Sequence, residues 1–526
     1  MHTADVIVIV AYMAVLVGIG VRLSRRQNST NEYFLAERSI PGWAVGMSLL
    51  ATIITSVTFI AYPGAAYAGN WSLLVPGIMF VLVIATIGFV VVPFFREVVA
   101  MSAYEYFGKR FGPFVRMYSS FAFACGHFSK MSFVFYLLAL SVGSITGWGI
   151  TKIIVVLGLI TIFYTLIGGL ETVIWTDVVQ GFVLWTGVAV TILLLLFSPH
   201  IHTGEMLHLI AANHKTSLGG LNFNLRQQTF WTMCIYGLFF YLQKYTADQT
   251  VVQRYLAAKS DRSALRGIAM GASLCLPVWT AFMFIGSLLW AFYKLTGEKL
   301  PASLTKADQI FPHYMVTHMP PGVAGLFLAA LFGAAMSMLA SDLNCLGVII
   351  VEDFYGRFRP RASDAQRLRI GKLSVAVCGV LAIVGALRLS STQGTALQLY
   401  YLLTAIVAGG LAGLFLLAFL VPRAGRTAAV IGIAVNLAVT AWATLTMNGG
   451  KSWNLHRFNY PWHELTIGAA GNTLMFLVGW LVSFAIPAEQ ASGPTLWDWL
   501  AMRRQSEREQ TLGEPHESLA ESSTTK

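Results

Sequence analysis

The sequence predicts an all-α, polytopic membrane protein with about thirteen transmembrane helices. Of its 526 residues, 56% are hydrophobic and only 11% are charged, whereas a soluble chain carries about a quarter charged residues. Lysine and arginine cluster at 22–38, 96–116, 254–266, 357–372 and 423–426, in alternate loops between apolar segments. This asymmetry is typical of the cytoplasmic face of a membrane protein, so the net charge of +11 does not indicate nucleic-acid binding.

Each predicted span has enough apolar residues to cross a bilayer. The spans are 4–23, 43–68, 71–95, 115–146, 150–167, 173–198, 230–252, 266–293, 321–352, 370–388, 397–420, 427–446 and 466–486. The first is expected to be a retained helix, because Asp5 stands where a signal peptide has positive charge and Arg22 begins a basic flank. The loop charges predict an extracytoplasmic N-terminus and a cytoplasmic C-terminus.

The order of the spans predicts six regions. They are an extra N-terminal helix and loop (1–42), a first five-helix repeat (43–198), an extracytoplasmic loop (199–229), a second five-helix repeat (230–420), two extra C-terminal helices (421–486) and a cytoplasmic tail (487–526). The tail is polar and short, so we expect it to be disordered. The five cysteines lie in apolar segments without metal-ligand spacing and are expected to be free thiols.

The stretch from 322 to 353 is apolar enough to span a bilayer, yet it carries polar residues at its centre. Ser337, Ser341 and Asn344 fall on one helical stripe, and Asp342 lies on the neighbouring stripe. Hydrogen bonding between helices would explain the serines alone. A carboxylate at membrane depth costs free energy unless it meets protein, water or an ion, so Asp342 indicates a functional site.

Two spans are interrupted by polar residues. The second span contains Thr55 and Thr58, and the seventh contains Gln243, Lys244 and Asp248. Broken helices at matching places in two halves of a chain point to a transporter binding site, where backbone carbonyls and amides become available to ions and substrate. A polar lining or a kink satisfied by neighbouring helices is the alternative.

Charged residues inside other spans each allow more than one interpretation. Asp177 lies near the start of the sixth span, where an acid also favours the helix dipole. Lys130 lies mid-span, too far from either end to reach the surface easily. It therefore pairs with an internal acid, for example Asp342 or Asp177, or meets an anionic substrate. Lys244 and Asp248, four residues apart, are placed to pair with each other.

Several strings resemble the solute:sodium symporter family over roughly residues 4–420. They are IPGWAVGMSLLATIITSVTF, SAYEYFGKRFG, YTLIGGLETVIWTDVVQG, YTADQTVVQRYLAAKS and AAMSMLASDLNCLGVIIVEDFYGR. The sequence is most similar to the bacterial sialic-acid-transporting branch. The resemblance implies a LeuT-like core of two inverted five-helix repeats, a bacterial inner-membrane location and coupling to Na⁺. It also implies a small-molecule substrate, and we expect a monomer without nucleic-acid partners.

The resemblance also implies ion ligands. One sodium site would use the backbone carbonyls of Ala51, Ile54 and Ala334 and the hydroxyl of Ser337, and a second would use Asp177, Ser337 and Ser341. Met338 and Ala340 stand where relatives carry hydroxyl residues, and a thioether is a poor ligand for a hard cation. Asp342 is then expected to replace the lost ligands, either as a sodium ligand or as a titrating group that couples transport to H⁺.

For the substrate, the resemblance places a pocket between the two broken helices and the third and fourth spans. Its residues would be Thr55, Thr58, Leu73, Gly77, Lys130, Tyr241, Gln243 and Lys244. An arginine in sialate-transporting relatives corresponds to Lys130, which keeps the positive charge but loses the bidentate fork. An acidic or polar sugar, with sialic acid first, is the expected substrate, and a neutral sugar or another small carboxylate is the alternative.

Two other classes of protein fit the sequence less well. A membrane enzyme would need a converging catalytic set, and no HExxH or GxSxG motif occurs. A non-transporting sensor of this family would carry a signalling domain, and the tail is short for one. We therefore expect a symporter rather than an enzyme.

Overall fold

The computed structural model describes residues 2–23, 27–199, 201–301, 304, 306–391, 409–450, 453–486 and 493–512. Within these ranges the secondary structure is helical apart from one isolated β-bridge between Ile40 and Ala258. The predicted all-α class is therefore confirmed, and the protein is organised around helices long enough to cross a membrane.

The first half of the chain contains ten helices. They are α1 (Thr3–Leu23), α2 (Thr30–Leu35), α3 (Gly42–Ile53), α4 (Ser56–Ala68), α5 (Val75–Val83), α6 (Phe89–Val98), α7 (Tyr104–Phe111), α8 (Pro113–Thr146), α9 (Ile150–Leu196) and α10 (Thr203–Ala212). A π-helical turn, Ile84–Gly88, joins α5 to α6. Gly169 breaks α9 with a φ of 56°, a conformation that glycine adopts without steric cost.

The second half contains eleven described helices. They are α11 (Phe230–Thr246), α12 (Gln249–Leu256), α13 (Asp261–Thr296), α14 (Ile310–His318), α15 (Val323–Ile349), α16 (Gly356–Phe358), α17 (Asp364–Ser391), α18 (Leu411–Leu420), α19 (Arg426–Gly450), α20 (Ile467–Ala485) and α21 (Leu496–Leu512). A second π-helical turn, Ile350–Tyr355, continues α15 into α16.

The described residues form nine helices long and apolar enough to span a membrane, or ten when the bent pair α3–α4 is one span. The predicted number is higher for three reasons. Two predicted spans, 150–167 and 173–198, form the single helix α9, which bends at Gly169. The predicted span 230–252 is divided into α11 and α12, and α11, with 17 residues, is too short to be counted as a span. The span predicted at 397–420 lies partly outside the described residues, and α18 is its described end.

The central helix is α15, which forms most of the apolar stretch 322–353 with polar residues at its centre. In the most apolar stretch of this helix 83% of the residues are buried inside the protein, whereas the corresponding fraction for α1 is 22%. At its start, Asp5 Oδ1 of α1 accepts hydrogen bonds from the backbone amides of Gly322 and Gly325, both at 2.8 Å. Because the first amides of a helix lack intrahelical partners, Asp5 of α1 caps the start of α15.

The expectation of a disordered tail over 487–526 is wrong for its middle part, because α21 is helical and packed. Trp499 Nε1 and Arg503 Nη2 both donate to the carboxylate of Glu97, and Tyr106 donates to the carbonyl of Pro494 at 3.2 Å. The tail is polar on average, but two tryptophans, Trp497 and Trp499, anchor it to the rest of the protein. Residues 487–492 and 513–526 lie outside the described part of the chain.

Candidate functional site

The first broken helix forms where the sequence predicts it. The axes of α3 and α4 meet at 58°, and Ile54 and Thr55 between them are extended, with ψ of 105° and 171°. Four consecutive β-branched residues, from Thr52 to Thr55, weaken the helix at this point. Helix ends leave amides and carbonyls without intrahelical partners, so the break offers polar backbone groups inside the protein.

The residues predicted for the first sodium site lie on two helices in contact, Ala51 and Ile54 at the end of α3 and Ala334 and Ser337 in α15. Ser337 Oγ donates its proton to Asp177 Oδ1 at 2.5 Å. A hydroxyl has one proton and two lone pairs, so this bond leaves the oxygen of Ser337 able to face a cation.

The residues predicted for a second sodium site also meet, but around a guanidinium group. Arg254 Nη2 lies 3.0 Å from Asp177 Oδ2 and also donates to Ser341 Oγ. Ser48 Oγ donates to Asp177 Oδ2 at 2.5 Å and accepts from Arg254 Nε at 2.8 Å. Asp177 and Arg254 are both fully buried, so Arg254 supplies the positive charge that the sequence analysis assigned to a sodium ion.

Asp342 lies on a different face of α15 from Ser337, because five residues turn a helix by about 140° from alignment. Its Oδ1 accepts a hydrogen bond from His127 Nδ1 at 2.7 Å, and its Oδ2 is 3.1 Å from Lys130 Nζ. The internal pairing of Lys130 that the sequence analysis left open is therefore with Asp342. The expectation that Asp342 joins the sodium ligands is not supported by these contacts, which lie with α8.

The second broken helix separates α11 from α12. Asp248 caps α12, accepting from the backbone amide of Thr250 at 2.9 Å and from its hydroxyl at 2.5 Å. Lys244 Nζ donates to Asp248 Oδ2, which confirms the predicted pair. His127 Nε2 lies 3.3 Å from the same oxygen. The two lysine–aspartate pairs are thus joined through one histidine.

A cavity of about 450 Å³ lies between the broken helices, within the range of about 300–1,000 Å³ for small-molecule sites. Six predicted substrate residues line it: Thr55, Thr58, Leu73, Lys130, Tyr241 and Lys244. Gln243 instead lines a neighbouring cavity of about 330 Å³. Gly77 packs against an indole ring, and a Cβ there would stand 2.6 Å from Trp279 Cε3.

Several lining residues were missed by the sequence analysis. Tyr62 and Trp279 stack with ring centroids 6.5 Å apart and form an aromatic wall. Gln228, from the loop predicted to be extracytoplasmic, and His463 and Glu464, from the segment between α19 and α20, line the same cavity. The two aromatic rings give this wall a large apolar surface.

The break between α11 and α12 is tied by hydrogen bonds to the start of α7 and the residues just before it. Gln249 Nε2 donates to the carbonyl of Met101 at 2.7 Å, and its Oε1 accepts from the amide of Ala103 at 2.8 Å. Tyr104 donates to the carbonyl of Ala247 at 3.0 Å. A cavity of this size between two broken helices is the arrangement of a secondary transporter.

A sequence model of the family described as "Sodium:solute symporter family" matches residues 33–435. The chain therefore belongs to the sodium:solute symporter family, and sodium is its coupling ion. The membership confirms the family predicted from the sequence. Together with bacterial relatives, the apolar helices make the chain a multi-pass inner-membrane protein.

The relatives agree over most of the chain. It is 30% identical to the sodium/sialic acid symporter NanT of Aliivibrio fischeri, covering 91% of this chain and 93% of that protein. It is 32% identical to the sodium/sialic acid symporter SiaT of Proteus mirabilis, covering 82% and 87%. A solved substrate-bound, outward-open Na⁺-coupled sialic acid symporter is similar in structure, with a TM-score of 0.85, 30% identity and coverage of 93% and 99%. This similarity confirms the LeuT-like fold class.

Proposed function

We propose that the protein imports a small acidic sugar, with sialic acid as the leading candidate, together with inward-moving sodium. The observation that carries this proposal is the cavity between the broken helices, with Lys130 and Lys244 in its wall. An ammonium group binds a carboxylate through charge-assisted hydrogen bonds. The hydroxyls of Thr55 and Thr58 supply polar contacts for a sugar, and the names of the relatives support the same substrate.

One sodium ion would bind between the first break and α15. Its ligands are the carbonyls of Ala51, Ile54 and Ala334 and the hydroxyl of Ser337, all of them oxygen atoms suited to a hard cation. Because Ala51 lies in the last turn of α3, Ile54 lies in the break and Thr55 follows directly, an ion held there would order the segment that contacts substrate. That shared segment is a physical basis for coupling ion binding to substrate binding.

The neighbouring cluster would not hold a second sodium in this proposal. The guanidinium of Arg254 already neutralises Asp177 and bonds to Ser341, and a further cation would have to displace it. Nor would Asp342 bind sodium, because its oxygens face His127 and Lys130.

The transport cycle would follow from two inverted repeats, residues 43–198 and 230–420, moving relative to each other around the central cavity. The N-terminus is extracytoplasmic and the C-terminus cytoplasmic in this proposal, which puts the loops that carry Gln228 and Glu464 on the outside. The protein would work as a monomer, without covalent chemistry and without nucleic-acid partners.

The test is uptake of labelled sialic acid into proteoliposomes under an inward sodium gradient, a proton gradient or no gradient. We expect accumulation with the sodium gradient only, and its loss in Ser337→Ala. The matched control is Ser374→Ala in α17, whose hydroxyl bonds only within its own helix, to the carbonyl of Ile370 at 2.7 Å. Accumulation driven by protons alone would refute sodium coupling.

A neutral sugar is the second candidate, and one observation favours it. Both lysines of the cavity wall are already paired with buried carboxylates, Asp342 and Asp248. If unlabelled neutral sugars inhibit the sodium-driven uptake of labelled sialic acid and unlabelled small carboxylates do not, this second candidate replaces the first. Binding without accumulation under any gradient would indicate a sensor instead.

A further inference from the structure

We infer that Asp342 is a specificity-determining residue that competes with the carboxylate of the substrate for Lys130. The inference rests on the proposed function, in which the substrate is an acidic sugar. Asp342 is fully buried and does not line the cavity, whereas the side chain of Lys130 is 33% exposed and lines it. The aspartate therefore approaches the ammonium group from behind, and substrate approaches it from the cavity.

The ammonium group has few donors to divide between these two partners. A lysine has three N–H donors, and Nζ of Lys130 lies 3.1 Å and 3.3 Å from the two carboxylate oxygens of Asp342. His127 Nδ1 is also 3.3 Å away, but it donates to Asp342 and accepts nothing from a lysine when it does so. The ammonium group therefore already has two carboxylate oxygens of Asp342 within 3.3 Å before a substrate carboxylate approaches it.

Asp342 in turn depends on Lys130. Its Oδ2 makes no well-aligned hydrogen bond with the described residues, and Lys130 is its nearest cation. Its Oδ1 is held by His127 at 2.7 Å. Drawing Lys130 toward substrate would leave a buried carboxylate short of a partner, which is strongly unfavourable in a low-dielectric interior. The substrate carboxylate must overcome this cost to bind.

The other charges around the cavity do not offset the effect. Lys244 is held by Asp248, which is itself fixed as the cap of α12. Glu464 adds a carboxylate to the wall near the loops. With the lysines balanced by Asp342 and Asp248, the site has no surplus positive charge for an anionic sugar. Neutralising Asp342 would leave the charge of Lys130 available to a substrate carboxylate. The change would alter no residue that lines the cavity.

The experiment measures binding of sialic acid and of its uncharged carboxyl methyl ester by titration calorimetry, with saturating sodium, to the wild-type protein and to Asp342→Asn. We expect the preference for acid over ester to rise about tenfold in the variant, the size of one charge-assisted contact. Because the ester keeps the sugar and loses the charge, it serves as the internal control for folding and for the rest of the pocket.

A second variant, Lys130→Arg, keeps the buried pair intact in case Asp342→Asn fails to fold. The guanidinium has five donors, enough for Asp342 and substrate together, so the acid-over-ester preference should also rise. An unchanged or lower preference in the folded variants would overturn the inference alone. Failure of the wild-type protein and the variants to bind either ligand would overturn the proposed substrate, and the inference with it.

Discussion

The buried pair of Asp177 and Arg254 makes the sharpest prediction about stability. Both side chains are fully buried, and they meet at 3.0 Å among three helices, α9, α12 and α15. Arg254→Met would leave the carboxylate of Asp177 with hydroxyl donors but no cation. Asp177→Asn would leave the guanidinium without an anion. Each single variant therefore buries an uncompensated charge.

The magnitude follows from this arrangement. Removing one partner of a buried ion pair costs about 3–5 kcal/mol, a large share of the about 5–15 kcal/mol that stabilises a typical folded protein. The double variant buries no charge, and replacing a buried pair by neutral groups is often close to neutral. It still loses the hydrogen bonds that Ser48 and Ser341 make with Arg254, at about 1 kcal/mol each. We expect it to recover about 1–3 kcal/mol of a single loss.

The assay is thermal unfolding of the purified protein in detergent, supported by the yield of monodisperse protein. Both single variants should unfold at a lower temperature than the double variant Asp177→Asn/Arg254→Met, and all three below wild type. Additive losses, with the double variant least stable of all, would refute the reasoning, because they would mean that neither charge depends on the other.

Three further predictions follow from other parts of the structure. Sodium should raise the unfolding temperature of wild type and of Ser374→Ala but not of Ser337→Ala, since bound ligand stabilises only a protein that binds it; equal shifts in all three would place the ion elsewhere. Gly77→Ala should reduce uptake mainly by raising KM, because the new Cβ would stand 2.6 Å from Trp279 Cε3 and displace the aromatic wall; unchanged kinetics would exclude that wall from substrate binding. Burial lowers the pKa of His313, in α14, below its ordinary value of 6.5, so the unfolded chain takes up the proton first and stability is lost as pH falls from 6.5 toward the folded-state pKa. His313→Gln should lose less stability than wild type between about pH 7 and pH 5, and equal losses would assign the pH dependence to other groups.

The broken helices could be predicted because their causes are local. Thr55 and Thr58 in the second span and the polar run around Lys244 in the seventh each mark the segment that carries them. The pairing of Lys244 with Asp248 was equally accessible, since four residues bring two side chains to one helix face. Six of the substrate residues that the family resemblance implies line the cavity, and four of them, Thr55, Thr58, Tyr241 and Lys244, lie close to the two breaks.

Contacts between distant helices were beyond the sequence. Lys130 and Asp342 are 212 residues apart, and the pattern of α8 alone allowed Asp177 as an equal partner. Arg254 was placed in a cytoplasmic basic cluster, because the positive-inside rule counts charge and takes no account of burial. Its position beside Asp177 depends on how α12 packs against α3 and α15. The hydrophobic periodicity of a sequence does not predict such contacts between helices.

The loops and the tail show a different limit. Gln228 and Glu464 reach the cavity from segments whose composition marks them only as polar and exposed. The tail has a polar composition that predicts disorder, yet Trp499 docks it on Glu97. A few large anchors can hold a segment whose average composition would not bury enough apolar surface by itself.

The cap that Asp5 places on α15 has a consequence for biosynthesis. The carboxylate and the amides of Gly322 and Gly325 are 317 and 320 residues apart, so at about 5–20 residues per second the ribosome needs roughly 15–60 s to bring them together. During that interval Asp5 Oδ2 can already accept from the backbone amide of His2, 2.9 Å away, while Oδ1 waits for α15. The capping of α15 by α1 is therefore a late step of assembly, whereas the packing of α1 against α9 can form earlier. A bulky fusion placed ahead of Asp5 would act on this late assembly step, before it affected transport in the finished protein.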